Sequence, residues 1–410
     1  MASLLALASS ALSSGSDATP LPPGPNAWAD AELGAIRGIT VGPIENALHP
    51  DAGYGTAKGR AALVEAKRMG ATWIALTPFG RVWDLNGVGV GLVFEAPLEQ
   101  NTDDIAAAID DAHELGLRVM LVPHLWVESG GWRALIDPGD DEGWRRWTQS
   151  YERFLLHWAE VADATGVDLL SVGVELRSWV TTSRASRFRE VIAAVRQRYG
   201  GPLTYSANWD DVGHTMIWDD LDVVGINAFY PLTQKEGARY VDLAAGARAV
   251  AADLEQLAQT WQRPILLTEM GYTTRADPAL KPWEWPDGMK DVTVDQHAQA
   301  IATQALLAPL VDARWCAGFF VWRTYADPGD VSQEAEWGFS PRGKQAELVL
   351  RDAFATTWPA DGQGSWGSWA GLLPSAGEWA THRRWGAHRA RTPGVHAWEM
   401  SPDVEVWLVE

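Results

Sequence analysis

Short apolar, β-rich runs alternate with longer amphipathic stretches from about residue 35 to residue 357, and that alternation restricts the chain to a fold built from repeated βα units. The strand-like runs lie at 35–41, 72–77, 118–124, 168–174, 203–207, 221–226, 264–268 and 317–321. Between and after them, helical patterns occupy 58–69, 102–115, 142–165, 183–199, 240–261, 293–310 and 343–354. The segment 210–219, after the fifth strand, is too short to predict a helix. Glycine punctuates several helix ends, in MGA (69–71), LGL (115–117) and TGV (165–167), where a left-handed cap leads into the next strand. Eight strands alternating with helices suit either an open doubly wound sheet or a closed barrel. The loops favour closure. Those after strands are long (78–101, 125–141, 270–292, 322–341) and those before strands short, and a barrel collects the long ones on its C-terminal face. The expected fold is an α/β (β/α)8 TIM barrel with its functional site at that face.

At 410 residues the chain exceeds the roughly 250 that such a barrel needs. The expected organisation is a tail or signal remnant with a Pro-rich linker over 1–26, a barrel over 27–357 and a Trp-rich extension over 358–410. Residues 2–13 are apolar like the middle of an export signal, without a basic n-region and short of the roughly 20 residues that span a bilayer. They suggest a secreted or periplasmic protein, and no other segment predicts a membrane span. The extension mixes seven Trp with His382, His388, His396 and a basic cluster at Arg383, Arg384, Arg389 and Arg391, without a clear period. It reads as an appendage, a sugar-binding extension or a tail. A formal charge of -20 argues against a nucleic-acid partner. Tryptophan is in excess, 24 against 8 Tyr and 9 Phe, and indole offers the flat amphipathic plate that suits a pyranose face as well as a core. The single Cys316 excludes an intramolecular disulfide and a cysteine-based zinc cluster, and its apolar setting predicts a buried thiol.

Two carboxylates stand at the ends of apolar strands: Glu175 closes LLSVGVE (169–175) on the fourth, and Glu269 follows ILLT (265–268) on the seventh. A charge directly after such a run is costly unless it faces a polar mouth or is paired. Each alone has an ordinary structural reading, Glu175 as the partner of a neighbouring Arg such as Arg177 and Glu269 as the cap of a helix in the next loop. Together, on strands that a closed barrel sets on opposite sides of a narrow mouth, they can flank one glycosidic bond. A gap of about 5–5.5 Å makes such a pair retaining and roughly 6.5–9.5 Å makes it inverting. Other chemistries lack their residues. GVGVG (87–91) has no strand-then-helix context for a phosphate loop, no serine elbow occurs, and only His124 stands at a strand end as a metal ligand would.

Seven motifs in order, GITVG (38–42), ATWIALTPFG (71–80), VMLVPHLWV (119–127), SVGVEL (171–176), GINAFYPL (225–232), PILLTEMGY (264–272) and GFFVWRTYADPG (318–329), resemble glycoside hydrolase family 113, endo-β-1,4-mannanases among retaining (β/α)8 glycosidases. The resemblance implies Glu175 as general acid/base and Glu269 as nucleophile. It implies that Tyr230 hydrogen-bonds the nucleophile, that Trp322 floors the −1 subsite, and that His124, Trp126, Asn208 and Trp209 contact sugar hydroxyls and ring faces. Val174 stands where most related glycosidases have an Asn before the acid/base, which leaves open what binds the sugar 2-hydroxyl. The expected activity is double-displacement cleavage of a β-linked oligo- or polysaccharide, without metal or organic cofactor. The alternatives are the same barrel acting on another glycan as hydrolase or transglycosylase, and a non-catalytic carbohydrate-binding barrel. The charge of Glu269 is expected to raise the pKa of Glu175. Oligomeric state is left open.

Overall fold

In the computed structural model, which describes residues 36–42, 51–285, 288–310, 313, 315–327 and 336–355, eight parallel strands close into a barrel. In chain order the strands are β1 (Ile36–Gly42), β2 (Trp73–Leu76), β3 (Phe79–Val82), β4 (Arg118–Leu121), β5 (His124–Val127), β6 (Leu169–Val174), β7 (Leu203–Asn208), β8 (Val224–Asn227), β9 (Ile265–Met270) and β10 (Cys316–Tyr325). The barrel runs β1-β2-β4-β6-β7-β8-β9-β10, and β10 pairs back onto β1. The helices are α1 (Ala57–Met69), α2 (Leu98–Glu114), α3 (Asp141–Thr165), α4 (Arg177–Val180), α5 (Ala185–Arg196), α6 (Tyr240–Trp261), α7 (Gln296–Leu307) and α8 (Gln345–Ala355). The segment after β7 forms only two short 3-10 turns, at 212–214 and 218–220.

The helix ends follow the sequence signals. Thr56 and Asp140 cap α1 and α3 by accepting from Gly59 and Gly143, and Gly70 and Gly166 end them in the left-handed region at φ 97° and 69°. The barrel interior is a packed plug, not a pore. Ile36, Trp73, Met120, Leu169, Leu266 and Phe320 belong to one buried cluster drawn from strands all round the ring. Gly38 makes room for it, because a Cβ there would sit 2.2 Å from the Phe320 ring. Cys316 is buried as expected, and burial pushes its thiol up to about 12.

The third strand departs from the sequence reading. The run 118–124 is not one strand: β4 stops at Leu121, and His124 begins β5, which pairs in parallel with β3 as a separate two-stranded sheet. Pro123 cannot donate to a ladder, and the chain steps off the barrel around it. The small sheet carries the line of β2 and β4 beyond the rim and lifts His124 and Trp126 to the C-terminal face. The proposed 1–26 tail and the 358–410 extension lie outside the described residues, as do Ala35 and the end of the last motif.

Outside the barrel, α3, α4 and α5 seal against it through aromatic rings. Trp179, 1% exposed, meets Trp144, Trp147, Tyr151 and Phe188 at centroid distances of 4.8–6.3 Å. Truncating it leaves a large void that rigid neighbours cannot fill. Trp179→Ala is expected to destabilise the fold by about 3–5 kcal/mol, read from urea denaturation. A loss under about 1 kcal/mol would mean that this aromatic seal is not what fixes α4 to the barrel.

Candidate active site

Glu175 and Glu269 both emerge at the C-terminal mouth, each 8% exposed. Glu175 follows β6 with φ +51°, a left-handed backbone for a residue with a side chain. Such a conformation costs on the order of 1–3 kcal/mol and persists only where neighbours enforce it. Here the Glu175 N–H donates to the Ser206 carbonyl at 2.9 Å, and the next N–H, of Leu176, donates to the Tyr205 hydroxyl at 2.6 Å. Glu269 lies within β9, opposite Asn227 of β8 in the ladder.

The two acids are held differently. Oε2 of Glu175 accepts from Arg133 Nη1 at 2.7 Å and from Trp132 Nε1 at 2.8 Å, and Oε1 accepts from Asn227 Nδ2 at 3.1 Å. The Asn227 amide is itself oriented by Thr268, whose hydroxyl donates to its oxygen at 3.0 Å. Glu269 has no ion-pair partner among the described residues. Burial, then the charge of Glu175, push its carboxyl up to about 8, against the opposing pull of Arg133, Arg323 and the Asn227 amide. The raised pKa belongs to Glu269, which has no guanidinium partner among the described residues, whereas Arg133 pairs with Glu175.

Glu175 does pair with an arginine, but that arginine is Arg133 and not the adjacent Arg177. Arg177 turns away from Glu175 to pair with Asp210 and Asp211, and its guanidinium lies 4.8 Å over the Trp132 ring. The acidic pair after β7 therefore braces the indole that donates to Glu175. Glu269 lies inside β9 and caps no helix.

The other expected residues divide. His124 is buried beside Phe79; its Nε2 faces Arg133 Nη2 at 3.2 Å and its Nδ1 faces the Leu125 carbonyl at 3.3 Å. Burial first, then the Arg133 charge, hold it well below its ordinary pKa, so it is neutral, with Nε2 accepting from Arg133. Trp322, on β10, clusters with Phe229 and Phe339 at the mouth, and Trp209 packs against that cluster. Trp209 also stacks on Trp283 at 5.3 Å. Trp126 stands on β5, 51% exposed, edge-on to Phe79 and Phe94. Asn208 spends its amide on Asp210 at 2.6 Å. Tyr230 does not hydrogen-bond Glu269: its ring lies against Trp209 and its carbonyl accepts from Tyr272. The position that flanks Glu269 across the ladder is Asn227, three residues earlier, so the amide stands where the hydroxyl was expected.

Trp132, Arg133, Asn227, Arg323, Trp283 and Trp285 went unassigned in the sequence. Only Asn227, in GINAFYPL, carried a signal, as a polar residue ending an apolar strand. Val174, in the place of the usual Asn, joins the buried barrel plug. Among the described residues no group of three or more His, Cys, Asp or Glu is placed to hold a metal ion, and no helix is long and apolar enough to cross a membrane. A cavity of about 630 Å³ lies apart from the two acids, lined by Arg275, Glu284, Trp285 and Met289.

The family model of glycoside hydrolase family 113 matches residues 47–340, which takes in both acids and every strand from β2 to β10. The chain belongs to glycoside hydrolase family 113. A family 113 β-mannanase from Alicyclobacillus acidocaldarius, solved in complex with ManMIm, is 27% identical, with a TM-score of 0.68 over 79% of this chain and 98% of that one. A second family 113 β-1,4-mannanase, 23% identical, has the same TM-score over 79% and 99% of the two chains. A GH5_18 variant from Streptomyces cattleya in complex with Manβ1-4GlcNAc shares the fold at 17% identity and a TM-score of 0.52. No curated protein matches the sequence. The family assignment makes the chain a glycoside hydrolase.

The raised pKa of Glu269 has a consequence for folding. A buried acid whose folded pKa exceeds its unfolded value adds stability below about pH 4.5, which is lost as pH rises through about 8. Glu347, also buried and pushed up to about 8, and Asp211, pushed up to about 6, act in the same direction, while the lowered pKa values of His124, His157 and His297 act against them, so the Glu269 contribution is read by difference. Relative to wild type, Glu269→Gln is expected to become more stable as pH rises from 5 to 8.5 in urea denaturation. Identical slopes of stability against pH in the two proteins would refute the assignment of a raised pKa to Glu269.

Proposed function

We propose that this family 113 enzyme is a retaining β-mannanase, in which Glu269 attacks the anomeric carbon and Glu175 protonates the departing oxygen. The observation that supports it most directly is the unequal setting of the two acids: Glu269 is buried beside Glu175 without a counter-ion among the described residues, while Glu175 is held by Trp132 and Arg133 from the loop after β5. The 27% identical relative is a β-mannanase, which supplies the substrate class.

Double displacement needs one proton on the pair, carried by Glu175 when the sugar is attacked. In the free protein Glu269 attracts that proton, through burial and the neighbouring charge. A sugar entering the mouth competes for the Trp132 and Arg133 N–H groups on Oε2 of Glu175 and weakens their hold on the carboxylate. The proton then belongs on Glu175, and Glu269 is free to attack. Once Glu269 is esterified its charge is gone; Glu175 takes a proton from water, whose oxygen attacks the anomeric carbon as the ester bond breaks and Glu269 leaves as carboxylate. Trp322 and the Trp209–Trp283 stack, which packs against the same cluster, offer apolar faces for sugar rings.

The first test is release of reducing ends from β-1,4-mannan, β-glucan and xylan by the wild type, Glu175→Gln and Glu269→Ala. Mannan is expected to be the preferred substrate, with Glu269→Ala inactive and Glu175→Gln slower by roughly 10²–10⁴-fold. Azide should restore turnover of an activated aryl mannoside in Glu269→Ala and in a further variant, Glu175→Ala, giving the α-azide with the first and the β-azide with the second. The opposite pairing of products would exchange the two roles. A wild type that cleaves another glycan and not mannan would keep the chemistry and overturn the substrate.

A further inference from the structure

Arg323 is the cation at the mouth that the proposed mechanism does not use. It follows Trp322 on β10, and its guanidinium lies 4.8 Å from the Trp322 ring, 5.3 Å from Trp285 and 4.7 Å from Tyr325. Nη2 donates to the Tyr325 hydroxyl at 3.1 Å, and Nε is buried with no hydrogen-bond partner. No carboxylate pairs with it among the described residues, although the chain carries a net charge of -20. Its counterparts on the same face are all paired: Arg81 with Glu95 and Glu128, Arg133 with Glu175, Arg177 with Asp210 and Asp211.

The charged and titratable groups facing Arg323 are known. Val321, two residues before it on β10, pairs with Met270 of β9, the residue after Glu269, which sets Arg323 next to the reacting centre. His124 is neutral, Arg133 is compensated by Glu175, and Asp327, four residues on, is engaged by Lys58 at 2.9 Å. The planar fork of a guanidinium presents donors matched to a carboxylate, and aromatic walls exclude the water that would otherwise solvate it.

We propose that Arg323 is a specificity-determining residue that receives a carboxylate carried on the sugar bound against Trp322, so that the enzyme takes β-linked chains containing uronic acid residues. This rests on the glycosidase reading of the site and names a narrower substrate for it. A neutral sugar leaves the guanidinium with its rings alone; a uronic acid supplies the missing counter-ion.

The test is equilibrium binding, followed by tryptophan fluorescence at pH 6, of a β-1,4-linked mannuronate trisaccharide and of neutral mannotriose to the full-length protein. The acidic sugar is expected to bind roughly 10- to 100-fold more tightly, the range of one charge-assisted hydrogen-bonded pair. The advantage should shrink as salt is raised, while mannotriose binding stays level. Arg323→Met should bring the two affinities together, and Arg323→Lys, which keeps the charge without the fork, should fall between. Circular dichroism establishes that both variants are folded. Equal affinities in the wild type, or a preference that survives in Arg323→Met, would overturn the inference. Binding of neither sugar would overturn it as well, and mannan cleavage measured in parallel shows whether the glycosidase reading falls with it.

Discussion

Two carboxylates buried side by side in the mouth of a barrel repel each other and resist desolvation, and the rest of the site is arranged around that cost. Like charges in a low-dielectric setting cannot both ionise freely, so one must be compensated or hold a proton. Arg133 and Trp132 converge on Oε2 of Glu175, and Asn227 takes Oε1. Glu269 receives no cation of its own, and burial keeps its proton on well above the usual carboxylate range. The left-handed backbone at Glu175 belongs to the same solution. It turns the side chain off the line of β6 towards donors from the loop after β5 and from β8, and the bonds to Ser206 and Tyr205 hold it there.

The compensation is supplied from a loop, which makes the loop's own anchoring matter. Arg133 lies in a 3-10 turn after β5, and that turn is tied down on both sides. The Ile136 carbonyl accepts from Ser178 of α4 at 2.5 Å, and the Asp137 N–H donates to the Leu85 carbonyl at 2.8 Å. Gly131 admits Leu85, since a Cβ there would meet its side chain at 2.8 Å. Arg177, held by Asp210 and Asp211, presses on the face of Trp132. Three loops, after β3, β5 and β7, thus fix one pair of donors on one oxygen. A barrel rim can be this exact only because its loops brace one another.

The barrel and its two acids were legible in the sequence because both are written locally. A buried parallel strand is a short apolar run, a left-handed helix cap is a glycine, and a Glu placed directly after such a run has few ordinary uses. The donors around Glu175 were not legible. Arg133 is 42 residues from Glu175 and lies in a stretch without period, where an arginine reads as a solvated loop residue. The small β3–β5 sheet was missed for a related reason. Four-residue strands that pair only with each other carry no pattern of burial beyond that of the barrel strands they follow. Tyr230 shows the limit of transfer by resemblance. The motif placed it correctly at the end of a strand, but which way its ring turns depends on Trp209, and the register with β9 assigns the neighbouring place to Asn227.

The tryptophans show why composition alone cannot locate a site. Trp147, Trp158, Trp179 and Trp218 are among the largest side chains buried completely, and they weld helices to the barrel wall. Trp83, Trp126, Trp283 and Trp285 are among the exposed large apolar residues, and the last three lie on segments that follow the barrel strands towards the mouth. The same residue type thus seals one side of the strands and furnishes the other. What separates the two groups is the fate of the ring's two faces. A core indole has both covered by other rings and aliphatic chains, whereas a mouth indole keeps one face open. Trp285 and Trp322 are a third kind, with a face given to the Arg323 guanidinium. Cation and ring together form a surface that is apolar in the plane and positive at its edge, so geometry and charge at this corner of the mouth both act on whatever ring comes to rest against Trp322.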